Sequence, residues 1–97
     1  MLSIDLFICT RDRQETLLNQ IDLLSNSFET NKVRLVVVDN SNLDEIELNQ
    51  LREKLGKFTS KFRTIELITS EPGFVHARNV SLDNVKSDII IFIDILV

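Results

Sequence analysis

The stretch Asp88-Ile-Ile-Ile-Phe-Ile-Asp94 is an unbroken apolar run bounded by two acids. A short run of this composition predicts a strand buried on both faces, as in the parallel sheet of an α/β protein. A turn at Pro72 and Gly73 precedes it, and the residues between turn and strand predict a short helix over 74–85. The carboxylate of Asp94 is then expected at the carboxyl end of a buried strand, where such folds hold their ligands.

Three other β-prone stretches lie upstream of this strand. Residues 3–9 (SIDLFIC) are apolar apart from Asp5, and residues 32–39 (KVRLVVVD) are β-branched and end at an acid. Residues 63–69 (RTIELIT) form a weaker pattern, and their charged positions suit the edge of a sheet.

Helical periodicity fills the intervals between these strands. The first helix is predicted over 14–28, with Thr10 or Asp12 as its cap and an apolar stripe at Leu17, Leu18, Ile21, Leu24 and Phe28. The second is predicted from an Asp44 cap to residue 55, with a stripe at Leu48, Leu51 and Leu55 and with Gly56 as the C′ glycine. Residues 57–62 are predicted as a linker.

The element order β-α-β-α-β-α-β predicts a three-layer α/β/α fold with a mainly parallel, Rossmann-like sheet in the strand order 3-2-1-4. Residues 1–97 are predicted to form a single domain. Strands are added outward from strand 1 and then on its other side, so the strand order reverses between strands 1 and 4 and a ligand is expected in the crevice at their carboxyl ends.

Composition limits the classes of function. A net charge of −4 argues against a broad basic surface for nucleic acid, so no nucleic-acid partner is expected. The single cysteine, Cys9, excludes an internal disulfide and is expected to be a buried core residue. The beginning of the chain lacks the pattern of a signal peptide, and residues 89–97 are too few to span a bilayer, so a soluble, cytoplasmic setting is expected.

Polar residues from distant parts of the sequence converge on the predicted crevice. Arginine suits bidentate phosphate binding, Asp94 suits a divalent ion shared with phosphates, and Asp39 suits hydrogen bonds from a base or ribose. Together they favour a nucleotide diphosphate as the ligand. The cations expected near this edge are Arg11, Arg13, His76 and Arg78.

Each of these residues also has an ordinary structural interpretation. Loop arginines are often solvated, Arg78 can pair with Asp83 or another surface acid, and aspartate commonly terminates strands. The sequence has no Gly-x-Gly-x-x-Gly, no Gly-Lys-Ser/Thr phosphate loop and no Gly-x-Ser-x-Gly elbow.

Four motifs resemble the amino-terminal half of a family 2 glycosyltransferase. They are Ile8-Cys-Thr-Arg-Asp-Arg13, Val36-Val-Val-Asp-Asn-Ser41, Pro72-Gly-Phe-Val-His-Ala-Arg-Asn79 and Ile89-Ile-Ile-Phe-Ile-Asp94. The resemblance implies the GT-A fold and transfer of a sugar from a nucleotide diphosphate donor, expected to be a UDP-sugar, to an acceptor.

The resemblance also implies roles for individual residues. Thr10 and Arg13 match the loop that lines the nucleotide pocket, and Arg11 lies beside the base. Asp39 matches the acid that recognises the base, usually uracil, and Arg78 matches the arginine near the diphosphate. Asp94 matches the first acid of the Asp-x-Asp motif that holds magnesium or manganese.

The sequence departs from the family pattern at two places. Ile95 and Leu96 stand where further acid is expected after Asp94, so metal binding is expected to be weak or absent. The half that supplies the catalytic base and acceptor site is missing, so the chain is expected to be truncated and inactive alone. Strand 4 is then expected as an uncovered apolar edge that pairs with missing sequence or another chain. The alternative is a non-catalytic nucleotide-binding or protein-interaction module.

Overall fold

The fold was determined as a computed structural model that describes residues 3–27, 29–41, 43–70 and 74–94. Four strands alternate with three helices along the chain. The strands are β1 (Ile4–Thr10), β2 (Val33–Asp39), β3 (Thr64–Thr69) and β4 (Ile89–Asp94), and the helices are α1 (Gln14–Ser27), α2 (Glu45–Gly56) and α3 (Phe74–Asp83). The predicted elements are confirmed, with ends that shift by a residue or two.

The strands form one sheet in the order β3-β2-β1-β4, and every neighbouring pair is parallel. The predicted strand order is therefore confirmed, and β3 lies at an edge as expected. In the register, Thr10 is paired with Asp39 across β1 and β2, and Cys9 is paired with Asp94 across β1 and β4. Because the pairing is parallel, the carboxyl ends of β1, β2 and β4 meet at one edge.

The core has one layer on each face of the sheet. The larger layer joins the strands to α1, α2 and the turns that follow α2, and its fully buried members include Leu17, Ile21 and Leu51. The smaller layer contains Phe7, Cys9, Val36 and Val38, with Val80 of α3 packed against it. Cys9 is a buried free cysteine, as predicted.

The start of α2 has the predicted Asp44 cap, and Glu47 completes it as a capping box. Asp44 Oδ1 accepts from the backbone N–H of Glu47 at 2.8 Å, and Glu47 Oε1 accepts from the N–H of Asp44 at 3.4 Å. The predicted C′ role of Gly56 is wrong. Gly56 is the last helical residue, and the cap is Lys57, whose right-handed backbone requires no glycine.

The segment predicted as a linker over 57–62 is instead part of the core. Phe58 and Phe62 are buried against the larger layer. Successive turns carry them there, with backbone hydrogen bonds from Phe58 to Leu55 at 3.0 Å and from Lys61 to Phe58 at 2.9 Å. The four-residue spacing of the two phenylalanines was the available signal, because it continues the helical stripe by one more turn.

Two details of α1 differ from the sequence prediction. Arg13 directly precedes the helix and its carbonyl accepts from the N–H of Leu17 at 2.9 Å, so neither Thr10 nor Asp12 occupies the cap position. The predicted stripe residue Phe28 lies outside the described residues. Within the described part of the chain, no helix is long and apolar enough to cross a membrane.

The apolar run predicted that strand β4 is buried on both faces, and this prediction is wrong. It lies at the edge of the sheet, and Ile89, Ile90 and Ile91 are 38, 37 and 44% exposed. A groove of about 490 Å³ runs beside it, lined by Ile91 and Ile93 with residues of β1, α1 and β2. The apolar composition of a strand favours its burial, but the position of the strand in the sheet decides how much of its surface is packed against other elements.

Candidate functional site

The carboxyl edge of the sheet continues as a hydrogen-bonded platform beyond the strands. The N–H of Asn40 donates to the carbonyl of Thr10 at 3.0 Å, and the N–H of Ser70 donates to the carbonyl of Asp39 at 3.0 Å. These bonds hold the loops after β1, β2 and β3 side by side. Side chains from three separate parts of the sequence are therefore fixed at one edge.

Asp39 ends β2 with a side chain that is only 1% exposed. Burial raises the pKa of this carboxyl above its ordinary value of 3.8, since the charged form is removed from water. Hydrogen bonds from Ser41 oppose the rise, whereas the negative charges of Asp12 and Glu47 add to it. Among the described residues, no lysine or arginine forms an ion pair with Asp39.

Ser41 links Asp39 to the loop after β1. Its hydroxyl donates to Asp39 Oδ1 at 2.8 Å and accepts from the backbone N–H of Asp12 at 2.7 Å. Asp12 has φ 55°, in the left-handed region, which turns the chain from β1 toward α1. The sequence analysis gave Ser41 no role. The available signal was a hydroxyl two residues after an acid at a strand end.

Thr10 is paired with Asp39 in the sheet register, and its hydroxyl is buried, with the residue 2% exposed. No hydrogen-bond partner for Thr10 Oγ1 is found among the described residues. A buried hydroxyl without a partner is costly in a free protein, by about 1–3 kcal/mol. Among the described residues, Asp39 is likewise a buried carboxylate without a cation, so both groups are candidates for contact with a polar ligand.

The predicted cations occupy two positions around this edge. Arg11 and Arg13 are exposed in the loop that follows β1. Arg78 is exposed on α3, and its guanidinium carbon lies 5.4 Å from the centre of the Phe92 ring, which belongs to β4. His76 is exposed on the same helix. Both groups of cations are exposed to solvent.

The predicted metal ligand is placed only by its backbone. Asp94 is the last residue of β4 and is paired with Cys9, so its Cα lies at the same edge as Thr10. Its side chain, together with Ile95 and Leu96, lies outside the described residues. Within the described ranges, no group of three or more histidine, cysteine or acidic side chains is arranged to hold a metal ion.

This edge combines a buried acceptor, a buried hydroxyl and accessible guanidinium groups. Such a set can bind a molecule that has an N–H donor at one end and a negatively charged group at the other. The sequence-predicted residues Thr10 and Asp39 are brought together directly. Arg78 is connected to the sheet through Phe92, and Arg11 and Arg13 remain solvent-facing charges of the adjoining loop.

Comparison with known proteins agrees with this arrangement. The family profile described as "Glycosyl transferase family 2" matches residues 5–95, which is nearly the whole chain. No curated protein matches the sequence. The family match supports a function related to glycosyl transfer, and the parallel sheet in the order β3-β2-β1-β4 with three helices is consistent with the GT-A fold. The chain belongs to glycosyl transferase family 2.

Proposed function

We propose that the chain binds the nucleotide part of a UDP-sugar donor at the carboxyl edge of its sheet. The observation that carries this proposal is the buried carboxylate of Asp39, which has a raised pKa and no cation among the described residues. A neutral N–H donor on a ligand stabilises the charged form of such an acid by a charge-assisted hydrogen bond. The uracil ring carries an N–H of this kind between two carbonyl groups.

The other residues at the carboxyl edge of the sheet bind other parts of the nucleotide in this proposal. The hydroxyl of Thr10 gains a partner on the nucleotide, which removes the cost of its burial. Arg11 and Arg13 flank the base and the adjoining part of the nucleotide, and Arg78 binds the diphosphate with its planar guanidinium. The stacking of Arg78 on Phe92 limits the orientations available to that guanidinium.

Asp94 is the residue that would hold magnesium or manganese against the diphosphate. Magnesium sites often use one or two protein carboxylates and complete their coordination with phosphate oxygens and water, so a single aspartate fits this use. When bound, the ion neutralises negative charge that develops on the departing diphosphate. The apolar Ile95 and Leu96 offer no second side-chain ligand, so we expect weak binding of the ion without nucleotide.

The base specificity gives a sharp test. We expect UDP to bind at least about ten-fold more tightly than CDP, a difference of about 1.4 kcal/mol, because the cytosine ring has an acceptor where uracil has its N–H. Asp39→Asn should weaken UDP binding and remove the preference, as measured by isothermal titration calorimetry. Asp22→Asn is the matched control, since it removes the same charge from an exposed position on α1.

Two results would contradict the proposal. One is equal affinity of the parent chain for UDP and CDP, and the other is an unchanged preference in Asp39→Asn. Substitution of Arg78 by Gln separates the two ends of the ligand, because it should weaken UDP more than uridine and leave the preference for uracil intact.

A second candidate function is nucleotide binding without catalysis. The absence of acid at positions 95 and 96 favours it, because the chain then contributes a single carboxylate to any metal site. Magnesium distinguishes the two candidates. A donor site that uses the ion should bind UDP more tightly when magnesium is added, and Asp94→Asn should abolish that increase. A metal-independent module should show the same UDP affinity in magnesium and in chelator.

A further inference from the structure

The register of β4 is weakly specified by its own side chains. Four of its six residues are isoleucine, at positions 89, 90, 91 and 93, so apolar groups occupy both faces without alternation. Register is normally set by an alternating pattern, in which a slip places apolar groups in water. In β4, a slip by one residue leaves apolar groups on both faces, and a slip by two residues in either direction exchanges isoleucine for isoleucine at positions 91 and 93. Other groups must therefore fix where this strand stops along β1.

A buried ion cluster lies at the opposite, amino end of the sheet. Asp5 of β1 is fully buried and Arg34 of β2 is 4% exposed, and their side chains form an ion pair at 3.0 Å. Arg34 Nε also donates to Glu66 Oε2 of β3. The cluster thus ties three strands together on one face of the sheet. No role was predicted for Asp5 from the sequence, where it is the one charged residue in an apolar strand.

The remaining hydrogen bonds of this cluster reach the connection that leads into β4. Asp5 Oδ2 accepts from the backbone N–H of Lys86 at 2.8 Å, and Asp5 Oδ1 accepts from the hydroxyl of Ser87. Arg34 Nη1 donates to the carbonyl of Asn84 at 3.0 Å. A buried charge with several directional partners tolerates displacement poorly, because each lost bond leaves a buried polar group unsatisfied.

A second set of contacts holds the first residues of the strand itself. The N–H of Ile89 donates to the carbonyl of Ser3 at 3.0 Å, and Asp88 Oδ2 accepts from both the N–H and the hydroxyl of Ser3 at 3.2 Å. These groups are exposed and are individually weaker than the buried cluster. They pair the first residues of β4 with β1 in the same register that the contacts of the buried cluster require.

The other end of the strand carries the groups that depend on this register. Phe92 of β4 stacks on Phe7 of β1 with ring centres 5.5 Å apart, and the guanidinium of Arg78 lies over Phe92. A slip of β4 by two residues would move Phe92, and the backbone of Asp94, by about 7 Å along β1. Such a slip would break the Phe7–Phe92 stack and shift the support of Arg78.

We propose that the buried Asp5–Arg34 pair is the register lock of β4, and that it positions Arg78 and Asp94 at the carboxyl edge from the far end of the sheet. Asp5 and Arg34 are positioning residues in this proposal. They act through the connection at 84–87 and through β4, and they do not touch the ligand. The functional consequence rests on the proposed UDP site, whereas the register itself does not.

The test compares Asp5→Asn with Glu66→Gln in the ligand-free chain by NMR. Asparagine at position 5 removes the negative charge that pairs with Arg34, and its NH₂ group cannot accept the hydrogen bond that the Ser87 hydroxyl donates to Asp5. We expect a second set of β4 amide peaks and an NOE between the Phe7 and Phe92 rings that is weakened at least two-fold. Glu66→Gln alters the same arginine on the side away from β4, and it should keep one set of peaks and the parent NOE.

A single set of β4 peaks with a parent-like Phe7–Phe92 NOE in Asp5→Asn would overturn the proposal. If Asp5→Asn gives no dispersed spectrum, Ser87→Ala tests the proposal instead. This variant keeps the Asp5–Arg34 ion pair and removes one hydrogen bond between Asp5 and the connection at 84–87. Amide exchange in the β4–β1 pairing should then accelerate at least ten-fold with β2–β3 unchanged. Uniform acceleration, or none, would contradict the register lock.

A ligand measurement separates this inference from the proposed function. In Asp5→Asn, UDP affinity should fall because Arg78 and Asp94 are displaced, while the preference for UDP over CDP persists because Asp39 lies on β2. Loss of the preference as well would show general loss of structure and would contradict a positioning role. A parent chain that binds no UDP would refute the proposed function and leave the register result standing.

Discussion

Asp5 and Asp39 are both buried carboxylates of the same parallel sheet, yet their surroundings differ at every point. Asp5, at the amino end, accepts from an arginine, a backbone N–H and a hydroxyl. Burial alone would raise the pKa of Asp5, but the bonds from Ser87 and Lys86 and the charge of Arg34 bring it below 3.8. Asp39, at the carboxyl end, accepts only from Ser41 among the described residues, and its pKa is raised.

This difference separates a stabilising site from a binding site. When all the partners of a buried carboxylate come from the chain itself, its oxygens are already occupied by hydrogen bonds, and they are not available to a ligand. A buried charge with incomplete partners lowers the stability of the free chain and gains when a ligand supplies the missing donor. The buried hydroxyl of Thr10, which has no partner in the part of the chain that the structure describes, supports the same distinction. Substitutions at the two ends of the sheet test whether the two carboxylates differ in stability and pKa as their contacts indicate.

The largest expected effect is at the amino end. Arg34→Met should lower the free energy of unfolding by about 3–5 kcal/mol, because it leaves the carboxylate of Asp5 buried without a cation. Glu66→Gln removes the partly exposed partner of the same arginine and should cost less than about 1 kcal/mol. Urea unfolding of both variants measures the difference. A loss in Arg34→Met no greater than that in Glu66→Gln would show that the buried pair contributes little.

A smaller effect is expected for the hydroxyl groups that serve the two carboxylates. Ser41→Ala should cost about 1 kcal/mol and should raise the pKa of Asp39 further, because its main hydrogen bond is lost. Ser87→Ala should leave Asp5 ionised at neutral pH, since Arg34 and the N–H of Lys86 remain. Carboxyl NMR titration measures both groups. Equal displacement of the two pKa values would remove the distinction between the ends of the sheet.

The smallest effect on stability is expected for Asp39→Asn at neutral pH. Asparagine can still accept from Ser41 and carries no charge to bury, so the variant should be no less stable than the parent, within about 0.5 kcal/mol. It should nevertheless lose the preference for UDP. A large loss of stability would mean that Asp39 is a structural residue, contrary to its assignment as a binding residue.

The pH dependence of stability should have opposite signs at the two ends. The pKa values of Asp5 and Glu66 are lowered from 3.8 and 4.5, so their contribution is present above those values and is lost as the pH falls below them. The pKa of Asp39 is raised, so its ionisation costs stability as the pH rises above 3.8. The advantage of Asp39→Asn over the parent should therefore grow as the pH rises from 3.8 to the raised pKa of Asp39, and it should stay constant at higher pH. A difference that does not grow from pH 3.8 upward would contradict the raised pKa.

Much of this fold follows from local patterns in the sequence. The strand over residues 33–39 is predicted by a β-branched, apolar run and is buried along its whole length. The stripe of Leu17 and Ile21 repeats with the period of a helix and is buried where that period predicts. The Asp44 cap depends on a side chain next to the helix and was predicted as well, whereas its reciprocal partner Glu47 was not. The order of strands followed from the parallel connections, because right-handed crossovers leave few alternatives.

The candidate site was predictable in part for the same reason. Thr10 and Asp39 end neighbouring strands, so the topology alone places them side by side. The role of Ser41 was not predicted, because a hydroxyl in a polar loop has many possible partners. Phe58 and Phe62 were missed because they follow a glycine that was interpreted as a helix end.

The sequence by itself determined the strands, the helices, their order and the edge at which the polar residues of the site collect. Each of these properties depends on residues close together in the chain or on the handedness of short connections. Tertiary structure alone decided that Asp5 has a cation while Asp39 has none within the described ranges, although both are aspartates in apolar strands. The pKa of a carboxyl group depends on which charges and donors lie within a few ångströms, and here those partners come from residues 29 and more than 80 positions away as well as from close neighbours.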